Sequence, residues 1–163
     1  MRRPSPYGWS APFYDLISAE WPVYRAGRVA RVEALGLRPG DRVVDVGWSN
    51  VDLVHGNAAA LHGVVEPADG LIFVYALSLV RPWPAAWDQA LAVVRSGGRI
   101  AVVDMQEPTG AARILTPLAR LACRAGGSDI DAHPWLALDR DLTDVSARSL
   151  RGGHIQARAG TVP

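Results

Sequence analysis

The chain of 163 residues is 49% hydrophobic and carries 17 basic and 16 acidic side chains, for a formal charge of +1. Those values fit one compact domain with a sizeable core and give no overall electrostatic reason to expect nucleic acid as a partner. The single cysteine, Cys123, excludes an intrachain disulfide framework and a thiolate-rich metal centre; its apolar helical surroundings predict a buried small hydrophobe.

Met1-Arg2-Arg3 leads into prolines and aromatics instead of the apolar stretch of a signal peptide, and no uninterrupted apolar run reaches the length of a bilayer span. A soluble cytoplasmic domain is therefore expected, with residues 1–12 as an irregular N-terminal arm and 13–163 as the folded domain. Helical character follows at 13–19 and 23–35, separated by Pro22. In the second run Ala26, Val29, Val32 and Leu35 share one face, and Arg25, Arg28 and Arg31 form a basic stripe read as solvated surface. Leu37-Arg38-Pro39-Gly40-Asp41 supplies a turn before a strand over 42–46.

A second short strand is predicted over 51–54, joined to the first only by Gly47-Trp48-Ser49-Asn50. Parallel neighbours need a crossover of about a dozen residues or more, so this connector makes no ordinary βαβ unit. The 51–54 segment is left with three placements: antiparallel pairing through the turn, departure from the sheet, or exchange with a second chain. Strands at 71–75 and 99–104 with a helix over 83–95 between them read as a βαβ unit. Trp83, Trp87, Leu91 and Val94 recur at helical spacing as packing groups, and Ser96-Gly97-Gly98 is expected to end that helix. A helix over 111–125 is predicted to turn Ala111, Leu115, Leu118 and Ala122 inward. Residues 135–138 have helical character, and 143–149 with 154–159 read as an antiparallel hairpin through 150–153.

Few groups carry an obvious chemistry. His55 lies on a short strand without a partner defined by sequence, His62 is expected in the turn Leu61-His62-Gly63, and His154 at a strand entrance after paired glycines. Asp129, Asp131 and His133 alternate and would share a face only in an extended chain; a polar surface loop is the expected reading. Asp104 and Glu107 form an acidic pair near the end of a central strand, with Asp104 alternatively capping a turn or orienting a backbone amide.

Taken in order, Tyr14-Asp15-Leu16, the run from Leu37-Arg38-Pro39-Gly40-Asp41 to Asp45-Val46-Gly47, Val51-Asp52-Leu53-Val54-His55-Gly56-Asn57-Ala58-Ala59, Tyr75-Ala76-Leu77-Ser78, and the stretch from Ala90 to Asp104 resemble a family. It is that of the class I S-adenosylmethionine-dependent methyltransferases, particularly small-molecule enzymes of the ubiquinone/menaquinone-biosynthesis and phospholipid N-methyltransferase type. The resemblance implies an α/β fold, a shortened Rossmann-like methyltransferase domain with a mostly parallel central sheet and a C-terminal antiparallel hairpin. It also implies S-adenosylmethionine as cofactor, with Asp45 and Gly47 at the first strand's Asp-x-Gly, Asn57 where the family commonly has an aspartate addressing the adenine amino group, Ala58 as a neighbouring backbone contact, and Tyr75 on the cleft wall. No catalytic residue and no metal ligand are assigned. The remainder of the glycine loop, the following helix and the second strand with its ribose-binding acid have no counterpart here, which removes separate contributions to nucleoside binding. The expectation is thus a degenerate, truncated transferase with residual methyl transfer to a small hydrophobic acceptor, or else a non-catalytic dimerisation or ligand-binding module. Strand exchange in a homodimer is one of the three placements open to 51–54, and no specific nucleic-acid or membrane partner is expected.

Overall fold

Val43 to Val46 are apolar at three of four positions and form the first strand, β1 (Val43–Val46), entered through the predicted turn, where Asp41 N–H donates to Arg38 O at 3.0 Å and Gly40 takes φ +96°. The computed structural model describes residues 27, 29, 35–46 and 57–163. The N-terminal arm, the helix predicted over 13–19, the stripe Arg25, Arg28 and Arg31, Gly47, and the segment with the 51–54 strand and His55 lie outside the described residues. So does most of the helix predicted over 23–35, of which Gly27, Val29 and Leu35 are described and helical.

The following elements are β2 (Ala68–Val74), α1 (Trp83–Val93), β3 (Val94–Met105), α2 (Thr116–Gly126), α3 (Leu136–Asp141), β4 (Thr143–Leu150) and β5 (Ile155–Thr161). The five strands form one sheet in the order β1-β2-β3-β5-β4. β1, β2 and β3 pair in parallel, whereas β5 runs antiparallel to both β3 and β4. The predicted mixed α/β architecture, mostly parallel with a terminal hairpin, is present. Period-two alternation assigns the two faces of the sheet. Leu71, Phe73, Ile100 and Val102 point to one side and are buried with Ala86, Trp87 and Ala90 of α1 and Leu138 of α3. Val103 and Met105 point to the other side and meet Ala119 and Cys123 of α2, while Leu35 packs there on Ile72, Ala101 and Ala159. Helices thus cover both faces, and each fully buried large aliphatic or aromatic side chain contributes about 1.5–3 kcal/mol.

Polar contacts pin the layers. Trp87 is 1% exposed and its indole N–H donates to Asp141 Oδ2 at 2.7 Å, fastening α1 to α3. Asp69 accepts from Arg42 N–H at 2.7 Å and from the Arg95 guanidinium, joining the start of β2 to the approach of β1 and the start of β3. The Arg42 amide first, then Arg95, holds the Asp69 carboxyl below its usual range against partial burial.

Three expectations need correction. The helix predicted over 83–95 stops at Val93, and Val94 is already extended; Ser96-Gly97-Gly98 lies inside the strand, within an irregularity where Ala68 pairs with Val94 but Gly70 with Arg99. The helix predicted over 111–125 is split into a 3-10 segment, Gly110–Leu115, and α2, and its inward face is rotated by about a quarter turn from the one predicted. Ala119 and Cys123 are buried, whereas Leu115 and Leu118 are 53% and 64% exposed. Val29, predicted on an apolar face with Leu35, is likewise half exposed.

Candidate functional site

Parallel strands collect ligand groups at their C-terminal ends, where the connecting loops diverge. Here the ends of β2 and β3 carry the most unusual local chemistry. Asp104, the penultimate residue of β3, is fully buried. Its Oδ2 accepts from Ser78 N–H at 2.9 Å, and its Oδ1 accepts from Ser78 Oγ–H at 2.7 Å and from Met105 N–H at 2.9 Å. Ser78 belongs to the 3-10 turn Leu77–Leu79 that follows β2, and its hydroxyl also meets Ser128 Oγ at 2.6 Å. One carboxylate therefore ties together the loops that follow β2 and α2. Burial outweighs these hydrogen bonds and pushes the Asp104 carboxyl up to about 6. Beneath it, Cys123 donates to Met105 Sδ at 3.8 Å, and burial, with the nearby Asp104 charge, pushes its thiol up to about 11, making it a packing group. A hollow of about 240 Å³ opens beside this cluster, lined by Ser78, Arg81, Trp83 and Asp129 among others.

The residues singled out from sequence are distributed around this edge. Asp45 is half-buried in β1 opposite Ile72, and Gly47 is outside the described residues. Asn57 is exposed and caps the 3-10 turn Ala58–Ala60, its Oδ1 accepting from Ala59 N–H at 3.0 Å. Ala58 is packed against the α1-side core. Tyr75 is half-buried just past β2 with φ +51°, a left-handed conformation uncommon for a bulky residue. Its N–H donates to Val103 O at 2.8 Å, and the side chain packs with the Val103 and Met105 cluster, on the face opposite Ala58. A Cβ on Gly27 would come 2.2 Å from the Tyr75 hydroxyl and 2.8 Å from a Val103 methyl, so glycine there lets its helix approach the tyrosine. The structure thus sends Ala58 and Tyr75 to opposite sides of the sheet.

The remaining candidates separate as well. Glu107 is bound by Arg120, so Asp104 and Glu107 are not a pair; Asp104 does orient backbone amides. Asp129, Asp131 and His133 lie in a turn, not an extended face: Asp131 N–H donates to Asp129 Oδ1, Asp131 pairs with Arg120, and His133 lies against Trp135 with ring centroids 5.1 Å apart. Among the described residues no group of three or more His, Cys, Asp or Glu is placed to hold a metal ion. His62 sits in its predicted turn, its N–H on Gln89 Oε1, and His154 Nδ1 lies 2.6 Å from Gln106 O. Sequence reasoning missed Ser78 and Ser128; the signal was Asp104 itself, since a carboxylate ending an apolar central strand needs donors from neighbouring loops.

No protein-family model and no curated protein matches the chain. Among solved structures, the chain is similar to a SAM-dependent methyltransferase, "possible histamine N-methyltransferase", from Thermotoga maritima, with TM-score 0.66 and 13% identity over 96% of this chain and 100% of that one. The chain has a class I SAM-methyltransferase-like fold. PigF in complex with SAH aligns over 99% of this chain and 72% of its own, with TM-score 0.54 and 13% identity. An O-methyltransferase family protein from Burkholderia thailandensis aligns at TM-score 0.47 and 18% identity over 67% of this chain, which spans 35% of that protein's length. Asn57 Oδ1 accepts from Ala59 N–H and keeps a second lone pair, but as a neutral amide it lacks the charge of the carboxylate that the methyltransferase resemblance implies at this position.

Proposed function

We propose that this chain is a degenerate S-adenosylmethionine-dependent methyltransferase-like protein, with residual methyl transfer to a small hydrophobic acceptor as its specific chemistry. The observation that carries this reading is the sheet order β1-β2-β3-β5-β4 with one reversed strand, β5, in a fold that aligns along 96% of the chain with a SAM-dependent methyltransferase. When bound, the cofactor supplies an activated methyl group, which leaves the protein mainly to orient the acceptor and exclude water. A general base is not required of every acceptor, so the scarcity of paired acid–base groups is compatible with the reading. Degeneracy rests on the short connector Gly47-Trp48-Ser49-Asn50 and on Asn57, a neutral residue where the family commonly has a carboxylate.

Isothermal titration with S-adenosylmethionine and S-adenosylhomocysteine tests the proposal. Saturable binding is expected, weaker than that of a complete cradle. Asn57→Asp is expected to tighten it about ten-fold, since a carboxylate keeps one oxygen for the cap and offers the other as a charged acceptor. Absence of binding up to millimolar ligand rejects methyl transfer.

The second reading, a dimerisation or ligand-binding module, is favoured by one observation: β1 forms an edge of the sheet among the described residues, and open strand edges pair with other chains. Light scattering in the same buffer separates the two. A stable dimer without cofactor binding supports the dimerisation module, and a cofactor-binding monomer rejects it.

A further inference from the structure

The rotation of α2 away from its predicted face leaves a surface that the methyl-transfer reading does not use. Ile114, Leu115, Leu118 and Leu121 are 84%, 53%, 64% and 66% exposed. At helical spacing Leu118, Leu121, Ala122 and Ala125 form a continuous outward stripe, opposite the buried Ala119 and Cys123. The segment 110–126 that carries them contains Arg113, Arg120 and Arg124 and no acidic residue. Arg120 is held by Glu107 and Asp131, whereas Arg113 and Arg124 make no ion pair among the described residues. Arg124 also lines, with Arg81, Arg120 and the lone carboxylate Asp129, a hollow of about 360 Å³ at the flank of the helix.

We propose that this helical face docks on an anionic lipid surface, with the leucines and Ile114 entering the acyl boundary while Arg113, Arg124 and Arg81 meet the headgroups. An amphipathic helix with cations beside a leucine stripe has the composition of an interfacial binder. A second copy fits less well. A two-fold contact would set this face against itself, and its only charges within 110–126 are positive, so like charges would meet. The helix lies on the surface and does not cross: among the described residues no helix is long and apolar enough to span a membrane. The proposal is independent of cofactor binding.

The test is flotation of the full chain with vesicles of phosphatidylcholine alone and of phosphatidylcholine with an equal share of phosphatidylglycerol. Binding is expected only to the anionic vesicles. It is expected to weaken at least about ten-fold in Leu118→Gln/Leu121→Gln and about five-fold for each arginine lost in Arg113→Gln/Arg124→Gln. Circular dichroism checks folding, and the arginine variant carries the test alone should the leucine variant not fold. Three results overturn the proposal: no flotation with anionic vesicles, binding unchanged in the folded variants, or a dimer that Leu118→Gln/Leu121→Gln converts to monomer, which would make the face a protein interface.

Discussion

Asp104 shows how one residue joins stability to the candidate site. Its carboxyl titrates at about 6 in the folded chain against an ordinary 3.8, so the native state holds the proton more tightly than the unfolded state does. The associated stability is complete below the unfolded value, is lost as pH rises through the folded value, and stays absent above it. Between about pH 4.5 and about pH 7 the loss is roughly 2 kcal/mol. Urea unfolding at those two pH values should show that loss in the native chain and not in Asp104→Asn, whatever the variant's overall stability. An equal pH dependence in the two proteins would mean that Asp104 is ionised and solvated. Sequence placed Asp104 at a strand end and left three roles open, of which orienting a backbone amide is the one found. It could not pair it with Ser78, 26 residues earlier, or connect Ser78 to Ser128, because those neighbours are set by how the loops close over the sheet.

At the scale of elements, the central strands were legible as short continuous apolar runs, Leu71 to Tyr75 and Ile100 to Val103, and α1 through the helical spacing of Trp83, Trp87 and Leu91, all of which meet one core. The 110–126 segment was not, because leucines and alanines occupy both sides of its wheel, and only packing against Met105 and Ile130 selects Ala119 and Cys123 as the inward pair. The end of α1 was misplaced for a related reason. Gly97 and Gly98 suggest a helix stop, but the parallel partner β2 draws Val94 into the sheet first. A Cβ on Gly98 would lie 2.6 Å from Val94 Cγ1 and 2.8 Å from Asp69 O, whereas one on Gly126 would meet nothing within 4 Å. Gly98→Ala should therefore lower the urea unfolding free energy by about 1–3 kcal/mol, and Gly126→Ala, at the exposed end of α2, should leave it unchanged or raise it by up to about 1 kcal/mol.

For the whole molecule, the sheet order places β2 and β3 at the centre of the described fold, each paired on both sides and covered by helices. Amide hydrogen exchange should be slowest there, at Phe73 and Val102, opening only with global unfolding, whereas α2, with two buried side chains, should exchange through cheaper local openings. Equal protection in α2 and the central strands would show that the exposed leucine face is covered in solution. The amino-acid sequence by itself determined the α/β class, the βαβ unit, the terminal hairpin and the likeness to class I methyltransferases, because periodicity, turn chemistry and motif order are local properties of the chain. Tertiary structure alone decided that β5 inserts between β3 and β4, that Asp104 meets Ser78, that Ala58 and Tyr75 part to opposite faces, and that α2 turns its leucines to solvent. Each of those depends on which apolar surface a segment finds to bury, and that competition is settled only when the layers pack together.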